Sequence, residues 1–151
     1  MNTSLLRCLL PLVVGLMLAA APLAAQDSAA ASDAILGQWL TAEGTSKIEI
    51  YKSGEEFCGR IAWLKEPERD GKARVDDKNP DEKLRDRPLQ GLIILRGFTY
   101  DGEGVWAGGE IYDPKSGNDY KAKMTLVDAK TLDLRGYVLI PLFGRTERWT
   151  R

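Results

Sequence analysis

The chain has 151 residues, with 21 Lys and Arg, 22 Asp and Glu, and no histidine, so its formal net charge is −1. This length favours one folded domain. The absence of histidine excludes His-ligated zinc sites and catalysis by Ser-His-Asp or Cys-His arrangements. The near-zero net charge argues against nucleic acid as the main partner.

The first 25 residues have the pattern of a cleavable secretory signal peptide. Arg7 and the amino terminus form a positive region, Leu9 to Leu18 form an apolar core, and small residues lead to Ala25. The apolar stretch is near the lower length limit of a membrane span, so an uncleaved anchor stays open. We expect cleavage near Ala25, a periplasmic or secreted protein and no transmembrane span afterwards. Cys58 is then the single thiol, and no internal disulfide is predicted.

Residues 26–34 are small and polar and predict a flexible lead-in. From residue 35 to residue 151, short segments alternate polar and apolar side chains at a period of two, and Gly, Asp and Pro turns divide them. The predicted strands, taken in chain order, cover residues 35–41, 47–50, 56–63, 89–98, 105–112, 120–126, 132–134 and 145–151.

This pattern predicts an all-β domain over residues 35–151, built as an eight-stranded up-and-down antiparallel barrel. A two-sheet sandwich stays open, because strand count and alternation do not separate the two architectures. A barrel of this size has room for one small ligand. Residues 65–88 interrupt the strands with mostly charged residues. They predict one long loop, and loops of this length are usually functional or disordered.

A short motif near the start of the predicted barrel carries a first resemblance. Gly37, Gln38 and Trp39 resemble the G-x-W signature of lipocalins, in which the Trp closes the base of the barrel beneath an Arg of the last strand. The resemblance implies a structural closure by Gly37, Trp39 and Arg148. Arg145 and Arg151 are the alternatives for the arginine.

Longer segments, spread over nearly the whole mature chain, carry a second resemblance. They include NP at 79–80, LRDRPLQG at 84–91, GGEIYDP at 108–114, LRGY at 134–137, GRT at 144–146 and WTR at 149–151. Together they resemble the bacterial exported family catalogued as domain of unknown function 2147. The resemblance implies an envelope protein with a lipocalin-like barrel and no established activity, so function must be argued from the site.

Aromatic and flexible apolar side chains on the strands, with one acid, are the candidate ligand contacts in the barrel interior or mouth. The acid, Glu110, shares the predicted face of Trp106 and would be a buried polar anchor. An outward Glu110 stays the alternative, because the glycine pair at 108–109 can reverse the alternation. The candidate set is Trp63, Trp106, Glu110, Tyr112, Tyr120 and Met124.

The charged loop carries a second candidate site, for an envelope protein or an anionic partner. Its arginines suit bidentate recognition of an anion. Alternatively, Arg–carboxylate pairs pin the loop to the barrel wall. Calcium on the loop's carboxylates is disfavoured by the interleaved cations, so no metal and no cofactor are predicted. The candidate loop residues are Asn79, Asp81, Arg85 and Arg87.

These features favour a non-catalytic protein that binds a small apolar or amphipathic molecule inside a β-barrel. The alternative is a protein-interaction or inhibitor module of the cell envelope that acts through residues 65–88. Catalysis by a carboxylate pair is a third reading, but it needs a fixed separation that a charged loop does not readily provide.

Overall fold

The computed structural model describes residues 23–151, so most of the predicted signal peptide lies outside the described residues. The described part begins with helix α1 (Leu23–Asp33). Alanine is the commonest residue of α1, and it is the best helix former. The helix covers most of residues 26–34, and the flexibility expected there stays a prediction. Cleavage near Ala25 stays a prediction.

The described residues after α1 form ten strands and two short 3₁₀ turns. The turns are Glu82–Leu84 and Pro141–Phe143. The strands are β1 (Gly37–Leu40), β2 (Ser46–Ser53), β3 (Glu56–Leu64), β4 (Glu68–Arg69), β5 (Lys72–Ala73), β6 (Ile93–Gly102), β7 (Val105–Asp113), β8 (Asn118–Asp128), β9 (Thr131–Tyr137) and β10 (Gly144–Thr150).

Eight of these strands close into an antiparallel barrel in the order β1-β10-β9-β8-β7-β6-β3-β2. The first and last strands meet at Leu40 and Thr150. Residues 65–92 form the long connection between β3 and β6, and the small hairpin of β4 and β5 lies within it. The predicted eight-stranded barrel is confirmed. The sandwich is excluded, because the sheet closes on itself.

Because polar and apolar residues alternate along the strands, apolar side chains fill the interior of the half of the barrel that contains Trp39. Trp106 is fully buried and meets Phe57 edge to face, with ring centroids 6.1 Å apart. Cys58 is a free thiol. Burial of apolar surface therefore stabilises this part of the barrel without a disulfide. The largest fully buried apolar side chains are Trp39, Trp106, Trp149, Phe98, Ile35, Ile48, Ile50, Leu95, Met124 and Leu132.

Two β-bulges change which side chains face inward. In β3, Ile61 pairs with Ile48 but Trp63 pairs with Lys47, so Ala62 is an extra residue. The bulge turns Trp63 outward, where 40% of its surface is exposed beside the Lys47 ammonium. Because an extra residue reverses the period of two, Trp63 does not share the inward face of Ile61.

The second bulge lies in β7, where Trp106 pairs with Met124 and Gly109 pairs with Ala122. Two residues on β7 therefore oppose one on β8, and Gly109 becomes the inward residue. A Cβ on Gly109 would lie 2.4 Å from the Phe98 ring, so only glycine fits there. Glu110 consequently points outward, as the glycine-pair alternative allowed.

Trp39 closes the base of the barrel. Its indole is fully buried and donates a hydrogen bond to the Ile35 carbonyl at 2.8 Å. The Arg151 guanidinium lies 4.2 Å from the centroid of the indole and donates to the carbonyl of Leu36 at 2.8 Å. Gly37, beside this guanidinium, has a φ of 113°, which residues with a side chain rarely adopt, so glycine suits this position.

The assignment of Arg148 to this closure is wrong. Arg148 lies on the outer wall, where it donates to both carboxylate oxygens of Asp133 at 2.7 and 2.9 Å. Along β10 the side chain of Trp149 points inward, so its neighbour Arg148 must point outward. Arg151, one of the two alternatives, supplies the guanidinium.

Candidate functional site

A cavity of about 590 Å³ opens at the end of the barrel opposite Trp39. Three connections surround its mouth: the β1–β2 turn, the β7–β8 turn and the β9–β10 loop. The loop between β3 and β6 contributes Arg74 and Leu89 from one side. The barrel therefore has a closed base and a hollow upper half.

The floor of the cavity is apolar, and its rim is polar except where Val138 and Phe143 line it. Near the mouth, the Lys115 ammonium pairs with the Glu43 carboxylate, and Tyr137 and Arg145 line the opening. A deep apolar pocket with a few polar groups at its entrance is the usual form of a small-molecule site. The buried apolar side chains that line it are Ile48, Ile61, Leu64, Leu89, Ile94, Leu134 and Trp149.

One carboxylate, that of Glu147, lines the cavity wall from β10. Glu147 pairs with the inward-facing Leu134 across the β9–β10 ladder, and it is partly buried. Its carboxylate makes no hydrogen bond or ion pair with any of the described residues. A partly desolvated carboxylate without a partner is a site for a donor group of a ligand. This role was expected for Glu110, and Glu147 was not among the predicted residues.

The long connection is fixed to the barrel by a buried aspartate. Asp76 is fully buried and accepts a hydrogen bond from the Tyr112 hydroxyl at 2.6 Å. It also accepts from the Asn79 amide at 2.8 Å and from two nitrogens of Arg87 at 2.8 and 2.9 Å. This cluster is the pinned-loop alternative, with an Arg–carboxylate pair as expected.

Tyr112 joins this cluster to the cavity. The residue lines the cavity, while its hydroxyl lies beneath the loop against Asp76. Burial, followed by the hydrogen bond to the Asp76 carboxylate, raises the pKa of Tyr112 to about 12. The phenol therefore stays a protonated donor, and the loop is held over one side of the cavity mouth.

The structure separates the predicted ligand contacts into three groups. Tyr112 and Tyr120 line the cavity. Trp106 and Met124 are fully buried in the packed half of the barrel and do not reach the cavity wall. The third group, Trp63 and Glu110, lies on the outer wall, which corrects their predicted place inside the barrel.

Glu110 is partnered on that outer wall instead of anchoring a ligand. Its carboxylate lies 3.9 Å from a nitrogen of Arg96 and 3.7 Å from the Lys121 ammonium. About half of its side chain is exposed, so these pairs contribute little to stability.

The predicted loop residues serve the structure of the loop itself. Asp81 accepts from the backbone N–H of Lys83 at 3.0 Å and so begins the 3₁₀ turn. Arg85 donates to the Asn79 carbonyl at 2.8 Å. Asn79 and Arg87 bind Asp76, so all four residues make hydrogen bonds within the loop.

Two further findings apply to residues 23–151. No group of three or more carboxylate or thiol side chains is arranged to hold a metal ion in this part of the chain. No helix in the same residues combines the length and the apolar character that a membrane crossing needs.

Comparisons with known proteins agree with the barrel. A solved structure of the Helicobacter pylori protein HP1028, described as belonging to the lipocalin family, superposes with a TM-score of 0.69. The two sequences are 24% identical, and the match covers 78% of this chain and 82% of the other. This likeness shows the fold. No curated protein matches the sequence. Residues 37–151 match the family described as "Uncharacterized protein conserved in bacteria (DUF2147)", and the chain belongs to that family.

Proposed function

We propose that the protein is a non-catalytic carrier that binds one small apolar or amphipathic molecule in the cavity at the open end of the barrel. The observation that carries this proposal is the open cavity of about 590 Å³ above an apolar floor. Volumes of this order accommodate small-molecule ligands.

The distribution of polar groups supports an amphipathic ligand in particular. Ile48, Leu134 and Trp149 line the cavity and would contact the apolar body of such a ligand. Glu147 lies on the wall and Arg145 at the mouth, on the same face of β10. Such separation of apolar and polar contacts fixes the orientation of a bound molecule.

The alternative, an interaction module that acts through residues 65–88, has less support. Asn79 and Arg87 would have to leave their hydrogen bonds to the buried Asp76 in order to reach a partner. We also propose a periplasmic or secreted location, which rests on the signal-peptide pattern of residues 1–25.

Filling the cavity tests the proposal. Gly136 faces the cavity, and a Cβ there would lie 3.7 Å from Ile111 and 3.8 Å from Tyr120, which is ordinary contact. A Gly136→Leu substitution therefore adds an apolar side chain to the empty space without a backbone clash. We expect it to weaken binding of the apolar fluorophore N-phenylnaphthylamine by about 10-fold or more, because the fluorophore and the leucine compete for one volume.

Thr99→Leu is the matched control, since Thr99 is exposed on the outer wall of β6. It adds a leucine of the same size outside the cavity and should leave binding unchanged. Native mass spectrometry of the purified full chain should also reveal a bound small molecule in the wild type and not in Gly136→Leu. Equal fluorophore affinity in both variants and in the wild type would show that the cavity is not the binding site.

A further inference from the structure

The β9–β10 loop exposes an apolar surface next to the cavity mouth. We call residues 138–143 the apolar tip. Leu139 is 87% exposed, Leu142 76% and Phe143 71%, and Val138 and Ile140 are about half exposed. Contiguous exposure of this kind is uncommon in monomeric soluble proteins and marks an interaction site.

The apolar tip is held in its exposed position by Arg135. The guanidinium donates to the Pro141 carbonyl at 2.6 Å, to the Leu142 carbonyl at 3.3 Å and to the Thr146 hydroxyl at 2.8 Å. Leu139 adopts a left-handed backbone with φ of 68°, which an apolar residue adopts at a cost. The hydrogen bonds of Arg135 therefore hold the apolar tip in a conformation that exposes it to solvent.

A basic collar, which we define as Lys121, Lys123 and Arg135, lies on the outer wall beneath the apolar tip. Lys123 pairs with Arg135 across the β8–β9 ladder, and Lys121 pairs with Tyr137 at the start of the loop. Lys123 and Arg135 have no carboxylate partner among the described residues, whereas Lys121 is 3.7 Å from Glu110. The collar therefore carries uncompensated positive charge.

We propose that the apolar tip inserts into the surface of a membrane that contains anionic lipids, with the basic collar against the headgroups. An apolar segment flanked by Lys and Arg has the composition that binds such surfaces. A second copy of the chain is disfavoured as the occupant, because pairing two tips would bring two basic collars together.

Insertion would place the cavity mouth at the lipid surface. Val138 and Phe143 belong to the apolar tip and also line the cavity, so the two apolar surfaces are continuous. An apolar molecule could pass between the membrane and the barrel without crossing water. The docking stands on its own, whereas this transfer rests on the proposed carrier function.

A tryptophan placed in the apolar tip tests the docking. Leu142→Trp in the full chain keeps an exposed apolar residue, and its fluorescence is followed with vesicles that contain brominated phosphatidylglycerol and phosphatidylcholine. We expect strong quenching by the brominated chains. Val127→Trp is the control, because Val127 is 51% exposed at the opposite end of the barrel. Quenching is taken as the excess over the wild type, because the chain already contains four tryptophans and Trp63 is 40% exposed. That excess reports on position 142, so attachment through another segment does not produce it.

Two further substitutions separate the apolar contribution to vesicle binding from the electrostatic one. Leu139→Asn suits the left-handed backbone and removes apolar surface, so added to Leu142→Trp it should weaken vesicle binding of the tip by about 10-fold. Lys123→Gln should weaken it by about 5-fold on anionic vesicles and not on phosphatidylcholine alone.

Quenching at position 142 no stronger than at position 127 would overturn the docking. Concentration-dependent shielding of the tryptophan from acrylamide without lipid would also overturn it, since a second copy would then cover the tip. A failure of Gly136→Leu to change fluorophore binding, with quenching at position 142 intact, would reject only the carrier function.

Discussion

The buried cluster around Asp76 leads to the prediction whose magnitude the structure defines best. In Asp76→Ala the hydroxyl of Tyr112 and the amide of Asn79 lose the carboxylate that both contact while buried. Each orphaned buried donor costs ~1–3 kcal/mol. Arg87 is 36% exposed and can be hydrated again, so its loss costs less. We therefore expect a decrease of about 3–4 kcal/mol in the free energy of unfolding, in the range for breaking a buried ion pair.

Urea unfolding, followed by tryptophan fluorescence, measures this decrease. With a slope of roughly 1.5 kcal/mol per molar urea for a protein of this size, the midpoint should fall by about 2 M. Limited trypsin digestion gives the local readout, because residues 65–92 contain many Lys and Arg. Release of the loop should speed cleavage there before the barrel itself unfolds.

Asp77→Ala is the matched control, since Asp77 is the adjacent aspartate and is exposed. It should change the free energy of unfolding by less than ~0.5 kcal/mol, as surface substitutions generally do. Asp76→Asn keeps the shape but not the charge and should fall between the two. If Asp76→Ala and Asp77→Ala had the same midpoint and the same digestion rate, the cluster would not pin the loop.

Three further predictions concern the closed end of the barrel, the Tyr112 hydroxyl and the cavity wall. Trp39→Ala should cost ~3–5 kcal/mol of unfolding free energy in urea melts. Arg151→Ala should cost about 1 kcal/mol, and more than Arg148→Ala on the outer wall. Because the pKa of Tyr112 is raised to about 12, the protonated hydroxyl contributes fully to the free energy of unfolding below pH 10, and this contribution is lost as the pH rises towards 12. The wild type should therefore lose up to about 3 kcal/mol of unfolding free energy over this range, and Tyr112→Phe should not. Glu147→Gln should lower the affinity for dodecylamine by about 10-fold and leave that for dodecanol unchanged in fluorophore competition; equal losses for both would remove the carboxylate from ligand recognition.

The strands and the closed barrel could be predicted from the sequence because they depend on local signals. Alternation at a period of two places one face of each strand in the core, and turn residues such as Asp113, Pro114 and Gly117 end the strands. These signals act over a few residues, so they survive without knowledge of what packs against them. Each of the eight predicted strands accordingly corresponds to a barrel strand.

The place of single side chains could not be predicted where a bulge intervenes. Trp63 and Glu110 follow bulges in β3 and β7, and one extra residue moves a side chain from the inside to the outside. The glycine pair at 108–109 indicates a possible bulge before Glu110, whereas the Ile61-Ala62-Trp63 segment contains no residue that indicates one. The burial of Asp76 was equally hidden, because its partner Tyr112 is distant in sequence.

Glu147 shows where stricter use of the same signal would have succeeded. β10 pairs with β9 without a register shift from Gly144 to Thr150, so its alternation is regular. A tryptophan near the end of a polar strand is the strongest apolar residue available to set the inward face. With Trp149 inside, Glu147 and Arg145 must share its side of the strand, and Arg148 must not. The alternation of β10 thus places the Glu147 carboxylate in the cavity and Arg148 away from the base of the barrel. Extended past the end of β10, the same alternation puts Arg151 on the inward side, where the structure places its guanidinium over Trp39.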